Sequence, residues 1–186
     1  VDIALLDAAV SILGLPTGIV AATGRSPGRL GNAHSSLAPY EPYQAADGQV
    51  IVAVANPRLW SRFCTAVGLE DLEHDPRFAT NSDRLAHRPA LNERIAQVFA
   101  ATRVGELIAR LTAAGVPCGR VRSIDDVLAD PQLAARNMLV EIPAGAASVR
   151  VPGNPVKLSA APVLPLEPPP ALGQHTEEIA RRRGRV

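Results

Sequence analysis

The stretch APYEPYQAADGQVIVAVAN, residues 38–56, decides the fold of this chain. Its first part is extended, because each proline disfavours the helical conformation for the residue that precedes it. The ADG sequence at residues 46–48 is typical of a turn, and the β-branched run that follows is typical of a strand. We therefore predict two antiparallel strands joined by a tight turn.

Helical patterns follow these strands. Asn56 is predicted to cap a helix that has Pro57 at its first position and ends at Gly68. Apolar residues recur on one face of this helix, at Leu59, Trp60, Phe63 and Val67. Two more helices are predicted by the same spacing, one carrying Leu91, Ile95, Val98 and Phe99, and one carrying Val104, Leu107, Ile108 and Leu111 and ending at Gly115.

The remaining downstream sequence alternates short strands and short helices. A strand is predicted for VPCGRV (116–121), a helix opened by a capping box of Ser123 and Asp126, and a helix from Asp130 and Pro131 to Arg136. Three strands are then predicted, MLVEI (138–142), SVRV (148–151) and PVKLS (155–159). A proline-rich extended connector (161–171) leads to a short polar helix in GQHTEEIARRRG (173–184).

The opening sequence VDIALLDAAVSILGL, residues 1–15, is apolar almost all round, as a helix buried in a larger body is. We predict a buried helix over residues 1–22, kinked or divided at Gly14 and Pro16, and we expect the sequence to begin inside a domain. Residues 24–37 are predicted to be a loop, because several glycines punctuate them. The fold class is therefore α+β, with a compact unit over residues 37–151 and two ends, 1–36 and 152–186, that belong to another body.

Composition excludes several classes of protein. The 19 Lys and Arg nearly balance the 18 Asp and Glu, and only 3% of residues are aromatic, whereas a nucleic-acid surface needs a basic face with interleaved aromatic residues. No apolar run reaches the roughly 18 residues that a membrane span needs, and we find no signal segment. Cys64 and Cys118 lack metal-ligand spacing, which favours buried thiols in a reducing compartment. We expect a soluble, cytoplasmic protein that binds neither nucleic acid nor membrane.

The loop before the strands contains residues that could carry chemistry. His34, Ser35 and Ser36, with Asp47 further on, are the residue types of a serine-nucleophile triad. Neighbouring residues of an extended segment point in alternating directions, and no strand-turn-helix motif surrounds the serines. We therefore reject a hydrolase site.

The glycines of the same loop suggest a second alternative. Gly24, Gly28 and Gly31, with Arg25 and Arg29, would let backbone N–H groups approach an anion. Their spacing matches no phosphate-binding motif and does not follow a strand, which favours a flexible link.

Other titratable residues do not form a predicted site. We interpret His74, His87 and His175 as exposed polar residues and propose no metal site, because none has metal-ligand spacing to another histidine. Asp2 and Asp7 have no titrating partner nearby in sequence, so we interpret them as helix-end or buried hydrogen-bonding carboxylates.

Five blocks of the sequence, taken in order, resemble the family III CoA-transferases of the CaiB/BaiF type. The blocks are VDIALLDAAV, GRLGNAHSSLAPYEPYQAADGQVIVAVANPRLWSRFCTAVG, DPRFATNSDRLAHRPAL, LTAAGVPCGRVRSIDDVLADPQLAARNML and PALGQHTEEI. The resemblance implies an enzyme that moves coenzyme A between carboxylic acids, with the acyl-CoA thioester as substrate and no bound cofactor. It also implies a Rossmann-like large domain joined to a small α+β domain, in two interlocked chains.

On this scheme residues 1–36 are the end of the large domain and a linker, 37–151 the small domain, and 152–186 the proline-rich return and C-terminal helix of the large domain. The family nucleophile is an aspartate whose carboxylate attacks the thioester to form a mixed anhydride and then an aspartyl-CoA thioester. That aspartate lies upstream of Val1, so we assign no catalytic residue here and expect the chain alone to be inactive. Gly31, Asn32, His34 and Ser35 lie where some members have a glycine loop over the active site, and we predict that they contact acyl groups or CoA.

Two alternatives stay open at the level of sequence. One is an acyl-CoA racemase of the same superfamily, whose acid and base residues would also lie upstream. The other is a non-catalytic partner subunit that pairs with a separate N-terminal half. The sequence does not identify the acyl-CoA donor or the acceptor acid.

Overall fold

The computed structural model describes residues 2–144, 147–160 and 166–183. The chain divides into two compact units, Val1–Val121 and Arg122–Val186. This division falls inside the predicted small domain, and the domain boundaries of a full-length protein stay a prediction.

The predicted strand pair forms in the first unit. Strand β1 (Tyr40–Ala45) pairs antiparallel with β2 (Gly48–Ala53), so that Tyr40 lies opposite Ala53. A short third strand, β3 (Cys118–Arg120), pairs antiparallel with the other edge of β2, within the segment that was predicted as a strand. The sheet order is therefore β1-β2-β3.

Helices follow the sheet where their caps predict them. The Asn56 side chain accepts a hydrogen bond from the Leu59 N–H at the start of α3 (Pro57–Val67), and Gly68 ends that helix with a φ of 71°. Both features were predicted from the sequence, since asparagine is a good N-cap and glycine adopts the left-handed conformation without strain. The helices of this part are α3 (Pro57–Val67), α4 (Glu70–Glu73), α5 (Asn81–Ala86), α6 (Arg88–Ala100) and α7 (Val104–Ala113), with a 3-10 turn at Pro76–Phe78.

One hydrophobic core lies between this sheet and these helices. Val50, Val52 and Val54 alternate along β2 and its continuation and are fully buried, as a strand with one covered face requires. Four aromatic rings follow one another through the core, Tyr43, Phe99, Phe63 and Trp60, with centroid separations of 5.3 to 6.4 Å. The helices contribute further buried residues, including Leu72, Phe78, Leu91, Ile95, Leu107 and Leu111.

The opening segment is divided, as predicted, into α1 (Leu5–Ser11) and α2 (Gly14–Thr23), which meet at an angle of 65°. Neither helix contains a residue that this chain buries, and Leu5 and Ile12 are more than four-fifths exposed. Burial of these helices in a larger body stays a prediction.

No single helix among the described residues is long and apolar enough to cross a membrane, although the bent pair α1 and α2 passes that test together by length and composition.

The second unit is built around a hairpin. Strands β4 (Leu139–Ala144) and β5 (Ala147–Pro152) pair antiparallel, after the short helices α8 (Ile124–Leu128) and α9 (Pro131–Ala135). The predicted capping box of Ser123 and Asp126 is present in full. The polar helix near the C-terminus is also present, as α10 (Thr176–Arg183).

The strand predicted at residues 155–159 does not form. The Asn154 side chain instead accepts a hydrogen bond from the Val156 N–H at 2.9 Å, which folds the backbone into a local turn that competes with strand pairing. Of the predicted connector, residues 166–171 form neither helix nor strand, and residues 161–165 lie outside the described residues.

Candidate functional site

The predicted site residues lie in the loop that leads into β1. Gly31 adopts a φ of 58°, and the Ala33 N–H donates to the Leu30 carbonyl at 3.0 Å, so this part of the loop is a turn. A β-carbon at Gly31 would meet no atom within 4 Å, but a side chain there would strain the left-handed backbone. Gly31 and Asn32 are exposed, whereas His34 and Ser35 are half-buried.

The His34 imidazole has a fixed position in this loop. Its ring stacks on Tyr40 with a centroid separation of 4.9 Å and an interplanar angle of 22°. Its Nδ1 accepts a hydrogen bond from the Ser36 N–H at 3.1 Å, and the Ser36 Oγ lies 3.3 Å from the same nitrogen. The His34 N–H donates to the Tyr40 carbonyl at 2.9 Å, so that both the ring and its backbone are held.

Two residues from α5 and α6 bind the backbone of the loop. The Arg88 Nη2 donates to the carbonyls of His34 at 2.6 Å and Leu37 at 3.0 Å. The Asn81 amide donates to the Ser36 carbonyl at 2.8 Å and accepts from the Ala38 N–H at 3.1 Å. Polar backbone groups of residues 34–38 are therefore paired with side chains distant in the sequence.

Arg84 also binds the backbone at the end of this loop, and its side chain is buried in the core. Its side chain is 1% exposed, and its Nε donates to the Ala38 carbonyl at 2.7 Å while its Nη1 donates to the Phe78 carbonyl at 3.0 Å. The guanidinium also lies over the Trp60 ring, 4.7 Å from its centroid. Burial lowers the pKa of Arg84, and the carbonyls and the aromatic face stabilise its positive charge.

A series of polar contacts links Arg88 to Glu41, Asn92 and Tyr43. The Arg88 Nη1 lies 3.5 Å from the Glu41 Oε1, and both side chains are about 15% exposed. The Glu41 Oε2 accepts from the Asn92 amide at 3.0 Å, and the Asn92 Oδ1 accepts from the Tyr43 hydroxyl at 2.8 Å. Burial, and next the Glu41 carboxylate, raise the pKa of Tyr43 far above its ordinary value, so its hydroxyl stays protonated as a donor.

Asp47 has a structural role that is separate from the loop. It lies in the β1–β2 turn, where its Oδ1 accepts a hydrogen bond from the Val104 N–H at 2.7 Å and its Oδ2 lies 3.2 Å from the Arg103 Nε. The side-chain contacts of His34 are instead with Ser36 and Tyr40. This arrangement agrees with the rejection of a serine-nucleophile triad.

An open apolar groove of about 620 Å³ runs between α2 and the start of the loop. Leu13, Val20 and Pro27 are among the residues that line it. Gly28 also lines the groove and keeps a negative φ, so the bend of the loop depends on Gly31 and on Gly24, which ends α2 with a φ of 68°.

The other histidines make only local contacts: the His175 Nδ1 lies 3.5 Å from the Glu178 Oε2, and the His87 Nδ1 lies 2.9 Å from the Asp83 carbonyl oxygen. His74, His87 and His175 are exposed, as predicted, and no group of three His, Cys, Asp or Glu side chains in the described residues is placed to hold a metal ion. Asp2 and Asp7 are exposed, with Asp7 in the first turn of α1.

The two thiols differ in burial. Cys64 is fully buried and Cys118 half-buried, and both are free. Burial raises the pKa of the Cys64 thiol to about 12.

Sequence reasoning did not identify the residues that hold the loop. Asn81, Arg84 and Arg88 lie in the block DPRFATNSDRLAHRPAL, and no local motif distinguishes them from surface arginines or amides. The capping box of Thr80 and Asp83 at the start of α5 was a usable signal, since it marks the helix that presents Asn81 and Arg84.

Comparison with known proteins shows the class to which this fold and loop belong. The chain matches the model of CoA-transferase family III over residues 1–176, and it therefore belongs to that family. It is 34% identical over 181 residues to the succinate–glutarate CoA-transferase of Agrobacterium fabrum, and 33% identical over 159 residues to the acetyl-CoA:oxalate CoA-transferase of Acetobacter aceti. These alignments cover 96% and 86% of this chain, and 45% and 40% of the two relatives.

Solved structures agree with this assignment. A CaiB/BaiF family protein from Brucella suis superposes with a TM-score of 0.78 and 35% sequence identity, over 98% of this chain and 47% of that protein. Rv3272 from Mycobacterium tuberculosis shares the fold with a TM-score of 0.77 over 94% of this chain and 46% of that protein, at 22% identity. The chain thus has a mixed α/β structure that is part of the family III fold, and it spans about half the length of the relatives that it matches.

Proposed function

We propose that the full-length protein transfers coenzyme A from an acyl-CoA to a carboxylic acid. The observation that carries the proposal is the family match over residues 1–176, together with 34% identity to a CoA-transferase over nearly the whole chain. The relatives named above are both CoA-transferases, which favours this reaction over the racemase alternative.

The chemistry follows from the family resemblance and uses an aspartate outside residues 1–186. Its carboxylate attacks the donor thioester, the C–S bond breaks, and CoA thiolate leaves a mixed anhydride. The thiolate then attacks the aspartyl carbonyl and releases the donor acid, which leaves an aspartyl-CoA thioester. The acceptor carboxylate repeats these two steps in reverse and takes the CoA, so the aspartate is regenerated.

We propose short dicarboxylic acids as the substrate class. Relatives are named for succinate, glutarate, oxalate and mesaconate, each of which has a second carboxylate, and the oxalate enzyme is also named for acetyl-CoA. A site for such acids needs a hydrogen-bond donor for the carboxylate that does not react. Gly31, Asn32, His34 and Ser35 are proposed to line that site, and the held His34 ring supplies a side-chain donor.

The proposed architecture places residues 37–151 in the small domain, and residues 1–36 and 152–186 at the end of a Rossmann-like large domain. The exposed apolar residues of α1 and α2 support this proposal, because a surface of that kind is normally covered in a folded protein. An interlocked homodimer and a cytoplasmic location are part of the same proposal.

The test is a CoA-transfer assay on the full-length protein, with succinyl-CoA as donor. Glutarate, oxalate and mesaconate serve as acceptors, and acetate is the monocarboxylic control. We expect formation of the acceptor's CoA thioester with at least one dicarboxylic acid, and no transfer by residues 1–186 alone.

Two results would overturn this assignment. Exchange of solvent deuterium into the carbon beside the thioester, without transfer to any acid, would show a racemase. Turnover by residues 1–186 alone would show that the nucleophile lies within this chain.

A further inference from the structure

The His34 side chain has one defined proton position when it is neutral. A backbone N–H can only donate, so the hydrogen bond from Ser36 N–H requires a lone pair on Nδ1. The proton of the neutral ring is therefore on Nε2. Within the described residues no acceptor is recorded for the Nε2 proton, and the side chain is half-buried.

The orientation of this donor depends on a residue 54 positions away. Arg88 donates through one nitrogen to the carbonyls of His34 and Leu37, which lie on either side of Ser36. The Ser36 N–H fixes the orientation of the imidazole, and Arg88 holds the backbone on both sides of Ser36. Arg88 therefore acts on the orientation of the ring through this backbone segment. Asn81 acts on the same segment through the Ser36 carbonyl and the Ala38 N–H.

The anchor of Arg88 is more elaborate than loop attachment alone requires. The guanidinium is paired with Glu41 in a largely buried position, although an apolar anchor avoids the desolvation of two charges. The pair is itself connected through Asn92 to the hydroxyl of buried Tyr43. The Arg88 Nη1 and the Glu41 Oε1 form an ion pair without a hydrogen bond, while the other nitrogen of Arg88 and the other oxygen of Glu41 are hydrogen-bonded. These hydrogen bonds hold both side chains in place, which suits the positioning of a donor.

We infer that Arg88 is a positioning residue that acts through His34, and that the Nε2–H of His34 donates a hydrogen bond to the free carboxylate of a dicarboxylic substrate. The inference rests on the proposed CoA-transferase function and adds to it a specificity-determining contact. The fixed ring serves recognition, because a donor held in place loses less rotational freedom on binding.

The first experiment measures how firmly Arg88 holds the backbone of the loop, and it needs no substrate. Hydrogen exchange at residues 31–40 of the full-length protein is compared for wild type and Arg88→Met. The matched control is Arg94→Met, on the same helix, whose ion pair with Asp71 is exposed. Glu41→Gln combined with Arg88→Met is a second variant that leaves no unpaired buried charge.

We expect exchange of the His34, Ser36 and Ala38 amides to be at least about tenfold faster in both Arg88 variants, because their hydrogen bonds loosen together. Arg94→Met leaves them unchanged. Unaltered exchange in the Arg88 variants would overturn the positioning role whatever the enzyme catalyses.

The second experiment is a double-mutant cycle on the kinetics of the full-length enzyme. His34→Phe keeps an aromatic ring against Tyr40 and removes the donor, whereas His34→Gln keeps an N–H donor. We expect Arg88→Met, His34→Phe and their combination each to raise the KM for the dicarboxylic acid by about tenfold or more, the worth of one hydrogen bond to a charged group. His34→Gln is expected to retain much of the wild-type KM.

The loss should fall on KM more than on kcat, because the carboxylate that His34 contacts does not react, and the control Arg94→Met should leave both values unchanged. Effects of Arg88→Met and His34→Phe that multiply would show that Arg88 does not act through His34 and would overturn the inference. Faster amide exchange with unchanged KM values would overturn it as well, while leaving the proposed function intact. Failure of the wild-type enzyme to transfer CoA would instead reject the proposed function, and the substrate contact with it.

Discussion

At the scale of single residues, the loop that leads into β1 depends on side chains that come from distant positions. Asn81, Arg84 and Arg88 bind its backbone across separations of 43 to 54 positions in the sequence. Such polar groups are valuable in the folded state because a buried carbonyl without a donor costs free energy. Residues 34–38 are therefore anchored to α5 and α6, even though the composition of the loop suggests a flexible link.

Arg84 provides the clearest stability prediction. Arg84→Met removes the donors to the Ala38 and Phe78 carbonyls and the cation over the Trp60 ring. We expect the free energy of unfolding to fall by about 3 kcal/mol, because buried acceptors lose their partners. Urea denaturation of the full-length protein measures this change. The control, exposed Arg94→Met, is expected to cost less than about 1 kcal/mol, and equal effects of the two changes would contradict the prediction.

The two cysteines are expected to differ in reactivity. With a pKa of about 12, the buried Cys64 thiol has a negligible thiolate fraction at pH 8. We expect iodoacetamide to modify Cys118 in the native protein and Cys64 only after unfolding, as read by peptide mass spectrometry. Modification of native Cys64 at the same rate as Cys118 would show that this part of the core opens readily.

At the scale of elements, helix caps explain both the accuracy of the predictions and their gaps. The caps at Asn56 and Ser123 involve residues only three positions apart, so their sequence patterns are sufficient. Helix α7 is capped differently, by Asp47 from the β1–β2 turn, which accepts from the Val104 N–H 57 positions away. No local sequence pattern at residue 103 or 104 indicates that Asp47 caps this helix.

This cap predicts a pH dependence of stability. The hydrogen bond from the Val104 N–H, followed by Arg103, holds the pKa of Asp47 below its ordinary value. A carboxyl group whose pKa is lower in the folded state stabilises that state above its unfolded pKa. This contribution is lost as pH falls through the lowered folded pKa.

We therefore expect wild type to be more stable than Asp47→Asn near neutral pH, and the difference to shrink below about pH 4, where aspartate ordinarily titrates. Chemical denaturation at a series of pH values measures it. Glu93→Gln, at an exposed position of α6, is the control. A stability difference between wild type and Asp47→Asn that grows toward acid pH would contradict this prediction.

At the scale of the whole molecule, the apolar surface of α1 and α2 is the feature that the chain leaves uncovered. Leu6 and Ile12 are exposed by 73% and 82%, and Leu13 and Val20 line an open groove. Since the chain spans about half the length of its relatives, we propose that the remaining part of the fold covers this surface.

This proposal predicts a difference between the chain and the full-length protein. Residues 1–186 alone are expected to self-associate as concentration rises, and Leu13→Asp should reduce that association, as measured by light scattering after gel filtration. In the full-length protein the same substitution should lower stability, because it buries a charge. If Leu13→Asp leaves the stability of the full-length protein unchanged, Leu13 is not covered in that protein.

The sequence by itself determined the strand pair β1–β2, the helices α3, α6 and α7, the capping box of Ser123 and Asp126, and the family. These features depend on turns, caps and apolar periodicity within a few neighbouring residues, or on ordered blocks that a family shares. Only the tertiary structure decided that the opening helices are exposed in this chain and that Arg88 and Asn81 hold the loop around His34. Those outcomes depend on which distant groups meet, and hydrogen bonds across more than forty positions leave no periodic signal in the chain.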